Sequence, residues 1–404
     1  MSVPQYTVAE VLRNRWWVGP VAFVVSLVAT PILRTIAYRL RIVDRPDDLL
    51  KPHGRPVAYL GGVAICAGLW AGLVGYVAMM PDLAAHWAQL KAALPAVQPS
   101  LLTNPLWNIF AIVLASAVIL VVGLLDDVAD IRPRQKVVGQ VVAAGVLLAG
   151  GVGDRMATVV FLNFGAPVPD WILVPVSVVM CTVTIIAACN ATNLLDGLDG
   201  LCGGVTGIIA LGFLVLAVWL AVWGEYPGTD GLRVGLCLAM AGAIFGFLPY
   251  NIPPASIFMG DAGSMLLGFF VATMMVLFCQ EGSARWFVAA LAVFALPILD
   301  TALAVVRRLV AGRSIFAGDR SHLYDQLVDR GMTVKQVVAL FYVLAIVAAA
   351  LGVGLAIWVR GRYAAVIYAV LLAGIWTVFW KRRMIKPDSD EAARQGPEEP
   401  GRDG

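Results

Sequence analysis

Long apolar runs separated by short polar stretches recur from one end of the chain to the other. Eleven runs have the length of a spanning helix, about residues 17–38, 58–80, 106–125, 137–153, 171–189, 201–223, 233–250, 264–280, 286–308, 335–358 and 363–380. Within each run the apolar residues are continuous. A membrane β-barrel would instead alternate apolar and polar residues over segments of about ten, so the runs predict helices. Between the fourth and fifth runs, residues 154–170 join a Val/Phe-rich stretch to a Pro-rich one through Asn163-Phe164-Gly165, which predicts a short hairpin on the outer side. No internal repeat and no long linker divides the chain. Residues 1–380 therefore read as one transmembrane domain, and 381–404, rich in Pro, Gly, Asp and Glu, as a disordered tail.

Composition sharpens this into a fold class. Sixty per cent of residues are hydrophobic, only 14% are charged and the mean hydropathy is +0.84; soluble chains carry roughly 25% charged residues. The expected fold is an all-α polytopic membrane protein. Five of the six cysteines lie inside apolar runs and Cys202 at the edge of one, where they read as packing residues. The first apolar run has no small-residue cleavage site after it and reads as a retained helix.

Charge then orients the chain. The loops after runs 1, 3, 5, 7 and 9, together with the C-terminal tail, hold 20 of the 29 Lys and Arg. A Lys/Arg excess in short loops marks the cytoplasmic face, so the N-terminus is expected outside and the C-terminus inside. The same parity puts every strongly polar motif on the inner side: 44–53, 126–136, 190–199, 260–264 and 318–329. A single cytoplasmic active site in an inner membrane follows as the expectation.

Asn190, Asn193, Asp196 and Asp199 form a ladder at three-residue spacing between two spanning segments. An Asp at the centre of a spanning helix costs about 2.5 to 3.5 kcal/mol on insertion scales, so such a ladder points to function. On a continuous helix Asn190 and Asp199 would face opposite ways, giving the ladder two ends, and Gly197 and Gly200 would admit a ligand close to the backbone. Asp126 and Asp127 are adjacent carboxylates at a membrane boundary, an arrangement that calls for a divalent cation or a proton. Asp261, between glycines before the eighth run, reads either as a helix N-cap or as part of a phosphate site. Lys51 and His53 lie in the first inner loop. In the last, Arg320 and His322 could offer donors to a diphosphate. Asp300, seven residues before Arg307 within the ninth run, reads as an intramembrane polar contact.

Together these motifs resemble the polyprenyl-phosphate N-acetylhexosamine-1-phosphate transferases, a membrane family that also includes the phospho-MurNAc-pentapeptide translocases. The resemblance runs from about Asp44 to Gly331. It rests on Val43-Asp44 and Pro46-Asp47 with Lys51, His53 and Gly61-Gly62; Gly123 and Asp126-Asp127 with Lys136 and Gln140; the ladder from Asn190 to Leu201; Gly260-Asp261-Ala262-Gly263-Ser264; and Asp319-Arg320 with His322-Leu323. It implies transfer of a sugar 1-phosphate, GlcNAc 1-phosphate foremost, from a UDP-sugar to undecaprenyl or another polyprenyl phosphate, with UMP leaving and Mg2+, or alternatively Mn2+, required. By the same resemblance Asp261 is a metal ligand beside Asn193 and Asp196. Asp199 belongs to the uridine end, and Lys136, Arg320 and His322 to the diphosphate. Asp126 and Asp127 face the attacking lipid phosphate, while Lys51, His53 and Asn190 join the substrate-binding residues. The family's usual His-x-His-His is here His322-Leu323-Tyr324-Asp325, and the first loop favours the hexosamine branch over the translocases. A homodimer is admitted as an assembly, and no nucleic-acid partner is expected.

Two readings from other classes compete. Asp126, Asp127 and Asp130 reproduce the Asp-Asp-x-x-Asp of prenyl-diphosphate enzymes, but that reading leaves 260–264 and 320–322 without a role. A transporter or flippase would place its polar groups near the bilayer midplane and often show an internal repeat; here they gather at one face.

Overall fold

The computed structural model describes residues 6–44, 56–94, 98–163, 168–224, 231–279, 284–310, 312, 322–359 and 361–381. Lys51, His53, Arg320 and the tail from 382 lie outside the described residues.

The chain opens with a short capped helix, α1 (Val8–Arg13), and the first long one, α2 (Val18–Leu40). Two short strands, β1 (Val43–Asp44) and β2 (Val57–Ala58), pair antiparallel and lead into α3 (Gly61–Ala78). Then come α4 (Leu83–Ala93), α5 (Pro105–Ala129), α6 (Pro133–Ala149), α7 (Met156–Asn163), α8 (Asp170–Leu195) and α9 (Leu201–Trp223). The remainder is α10 (Gly231–Asn251), α11 (Gly260–Cys279), α12 (Ala284–Val293), α13 (Ala295–Val310), α14 (Leu323–Asp329), α15 (Val334–Trp358) and α16 (Gly361–Lys381). The all-α membrane fold is therefore what the hydropathy pattern implies.

All eleven apolar runs are helical. Among the described residues eight helices are long and apolar enough to span a bilayer, and nine if α12 and α13, bent by 72°, make one span. One of the expected spans falls short: helix α6 has 17 residues and carries Arg134, Lys136 and Gln140 in its first half. The break between α12 and α13 is invisible to hydropathy, because the run is apolar straight through it.

The outer hairpin expected at 154–170 is corrected. Residues 156–163 are helical, and 164–167 lie outside the described residues. Gly153, at φ +102°, turns the chain against Cys181, and the Ser177 hydroxyl accepts the Ala157 amide at 3.0 Å. Met156 and Ala157 are fully buried. Burial of one helical face here outweighs the strand preference of Val and Phe, which reflects packing context more than backbone preference.

Helix α11 is the axis of the bundle. Its spanning window is wholly buried, and it packs against α3, α5, α8, α9 and α12. Small residues at its start allow this crowding, as they do wherever membrane helices approach closely. A Cβ on Gly62 of α3 would collide with the Gly263 amide, and one on Gly123 of α5 with the backbone of Ala262. The outer helices turn Val24, Val28, Val121, Val179 and Ile346 outward, as lipid contact requires.

Candidate active site

The N-terminal end of α11 is where the polar motifs meet. Asp127, near the C-terminal end of α5, accepts the Asp261 amide at 2.7 Å and the Ala262 amide at 3.1 Å, capping α11 from a neighbouring helix. A negative charge there also suits the helix dipole. Gly260, at φ +67°, lets the chain turn in beneath that carboxylate; a Cβ would run into it. Lys136, in the first turn of α6, holds Asp126 Oδ2 at 2.7 Å and Asp261 Oδ2 at 2.6 Å. Its side chain and those of Asp126 and Asp261 are 22%, 11% and 26% exposed, so the ion triad sits in a partly open mouth.

The Asn190–Asp199 ladder is bent. Helix α8 runs to Leu195 and stops at Asp196, and a turn to Gly200, at φ +76°, precedes α9. The ladder does have two ends, but the helix break makes them; a continuous helical phase does not. Asn190 donates to Gln140 Oε1 at 3.0 Å and to the Ile186 carbonyl at 2.7 Å. Asn193 donates to Ser264 Oγ at 3.1 Å, on the first turn of α11, and also contacts Asp261. Asp199 turns the other way and accepts the Ala255 amide at 2.8 Å, fixing the loop between α10 and α11. That loop is tied in turn to the first inner loop, since Phe258 N donates to Ala58 O at 2.8 Å.

Asp196 is the exception in this network: among the described residues its carboxylate receives no hydrogen bond. Burial first, then the charges of Asp261, Asp127 and Asp199, push its pKa well above the usual carboxylate value. The buried Asp126 Oδ1 also lacks a hydrogen-bond partner. Among the described residues Lys136 alone pairs with these carboxylates, which leaves Asp126, Asp127, Asp196 and Asp261 with more negative charge than it can balance. Carboxylate and amide oxygens are the donors that suit a hard divalent cation. Among the described residues no three acidic or imidazole groups form a closed cage. Mg2+ does not need one, since it typically takes one or two carboxylates and fills its shell with water and phosphate oxygens. The residues present fit such an ion.

On the far side of the ladder, His322 precedes α14 and is buried, with Nδ1 at 2.8 Å from Asp300 Oδ2. The other oxygen of Asp300 accepts the Leu323 amide at 2.7 Å. Tyr324 donates its hydroxyl to the Leu194 carbonyl at 3.0 Å and lies against Gly197. These contacts bring the last inner loop to the ladder. The sequence singled out Asp300 only as a polar contact and Ser264 only as part of the 260–264 motif, without the bond from Asn193.

Asp126, Asp127, Lys136, Asn190, Asn193, Asp196, Asp261 and His322 thus gather at one end of the bundle, with Asp199 at the rim. A charge-dense site built from helix ends in an apolar bundle defines a polytopic membrane enzyme. The family model for glycosyl transferase family 4 matches residues 109–279, from α5 through α11. A decaprenyl-phosphate N-acetylglucosaminephosphotransferase of Mycobacterium tuberculosis is 32% identical over 383 residues, 91% of this chain and 89% of its own length. A probable undecaprenyl-phosphate N-acetylglucosaminyl 1-phosphate transferase of Bacillus subtilis is 29% identical over 80% of this chain and 81% of its own. A phospho-N-acetylmuramoyl-pentapeptide-transferase of Mycobacterium bovis is 32% identical over 83% and 94%. The chain belongs to glycosyl transferase family 4, the membrane sugar-phosphate transferases.

Proposed function

We propose that this protein transfers N-acetylglucosamine 1-phosphate from UDP-N-acetylglucosamine to a polyprenyl phosphate, with UMP as the leaving group. The observation that carries this is the Asp126–Lys136–Asp261 triad at the N-terminal end of α11, flanked by Asn193 and Asp196. Phosphoryl transfer needs positioned charge more than covalent assistance. A helix N-terminus beside a lysine provides it. The M. tuberculosis and B. subtilis relatives act on decaprenyl and undecaprenyl phosphate by name, and the GlcNAc transferase of M. tuberculosis covers more of this chain than the pentapeptide transferase does.

In this reading Asn193, Asp196 and Asp261 hold Mg2+. The ion would neutralise charge on the diphosphate as the bond to UMP breaks. Lys136, which bridges Asp126 and Asp261, would offer its charge to the donor phosphates. His322, with Arg320, holds the diphosphate. The acceptor oxygen attacks the β-phosphorus, and the bond from that phosphorus to the bridging oxygen of UMP breaks. A phosphate monoester with a second pKa of about 6 is already largely dianionic at pH 7. The acceptor therefore attacks directly, with Asp126 orienting it, while Asp127 stays committed to the α11 amides. Asp199 holds the 252–258 loop that borders the uridine end. The site faces the cytoplasm, where the Lys/Arg-rich loops lie.

Purified protein with undecaprenyl phosphate, Mg2+ and a panel of UDP-sugars tests this through UMP release. Turnover with UDP-N-acetylglucosamine is expected. Turnover with UDP-MurNAc-pentapeptide alone, or with none of the panel, would contradict it.

A further inference from the structure

Asp300 and Tyr324 are the polar groups of this region that the transfer reaction does not yet use. Asp300 lies in α13, 2% exposed, and His322, 3% exposed, stands 22 residues further along the chain. Both oxygens of the carboxylate are occupied, one by His322 Nδ1 at 2.8 Å and one by the Leu323 amide at 2.7 Å. The Tyr324 ring lies parallel to the imidazole, centroids 5.4 Å apart and planes within 5°. Its hydroxyl reaches the Leu194 carbonyl at the end of the ladder helix. The ring of His322 is thereby fixed in direction by a carboxylate and in plane by an aromatic face.

We propose that Asp300 is a positioning residue for His322, holding the ring with Nδ1 committed to the carboxylate so that Nε2 meets the donor's diphosphate. This rests on the reading of the site as one that handles a nucleotide diphosphate. An ionised carboxylate accepts only, so its partner nitrogen carries the proton and the other ring nitrogen is left for the ligand. Among the described residues Nε2 makes no hydrogen bond. Tyr324, standing where the family more often has a histidine, supports the one imidazole instead of supplying another. It also carries that support to the Asn193–Asp199 segment, because a side chain at Gly197 would displace the tyrosine.

The geometry dictates the test. In Asp300→Asn one acceptor oxygen must serve two donors, Nδ1–H and the Leu323 amide, so the ring is released or flips to the other tautomer. With UDP-N-acetylglucosamine and undecaprenyl phosphate, kcat should fall by on the order of 100-fold or more while KM for the donor moves much less. The double variant Asp300→Asn/His322→Asn should be no slower than His322→Asn alone. His322→Asn is the second arm: asparagine keeps a donor near the Nδ1 position, so the buried pair and the fold survive, and only the Nε2 position is lost. It should melt as the wild type does yet lose kcat to a similar extent. This arm decides the matter if Asp300→Asn does not accumulate folded. Near-normal kcat in Asp300→Asn, or in His322→Asn, or additive losses in the double variant, would overturn the proposal. A wild-type protein that releases no UMP would instead refute the reading of the site on which it rests.

Discussion

At the scale of single residues, the site is governed by which carboxylates have partners. Asp127 has two backbone amides, Asp261 has Lys136, and Asp300 has an imidazole and an amide. Asp325, in the first turn of α14, has His322 beside it, through the imidazole and a backbone hydrogen bond, but burial outweighs both and pushes its pKa up to about 7. A carboxyl raised in the folded state binds more protons there than in the unfolded chain. Stability therefore falls as pH rises from the ordinary carboxylate range to about 7 and levels off above it. Asp325→Asn should remove that loss. Thermal unfolding in detergent is expected to show the variant more stable than the wild type at pH 8, with the difference shrinking towards pH 5; an equal difference at both would count against it.

At the scale of elements, the decisive contact is α5 on α11. Gly123 lets Asp127 come close enough to cap α11, and a Cβ there would land on the Ala262 backbone, which cannot yield as a side-chain tip can. Gly123→Val should cost about 1–3 kcal/mol of stability, as overpacking does. It should also reduce UMP release by moving Asp126 away from Lys136. Gly145→Ala on α6, where a Cβ meets nothing within 4 Å, is the control and should be silent in both measurements. Much of this level was legible in the chain. The Asn190 ladder, the Asp126–Asp127 pair and Asp261 stand out because charge is costly between apolar runs. The Asp300–His322 pair was not legible, since it joins a helix interior to a loop 22 residues away and nothing in local pattern records such a meeting. Nor was the helix at 156–163, whose Val and Phe favour a strand until packing on α8 decides otherwise.

At the scale of the molecule, one buried helix organises the rest. Helix α11 runs through the middle of the bundle and delivers its N-terminal turn to the mouth, where α5, α6 and α8 contribute the other polar groups. The 72° break between α12 and α13 redirects the chain so that Asp300 can receive His322. The outcome is a partly open polar site at the end of an apolar bundle, a setting suited to the proposed joining of a polyprenyl phosphate to a nucleotide sugar. In the proposed reaction phosphorus moves with the sugar. UDP-N-acetylglucosamine labelled at the β-phosphorus, incubated with the purified protein, Mg2+ and undecaprenyl phosphate, tests it most directly. The label should pass into the lipid fraction as unlabelled UMP is released; label retained in UDP, with the sugar alone on the lipid, would contradict the account.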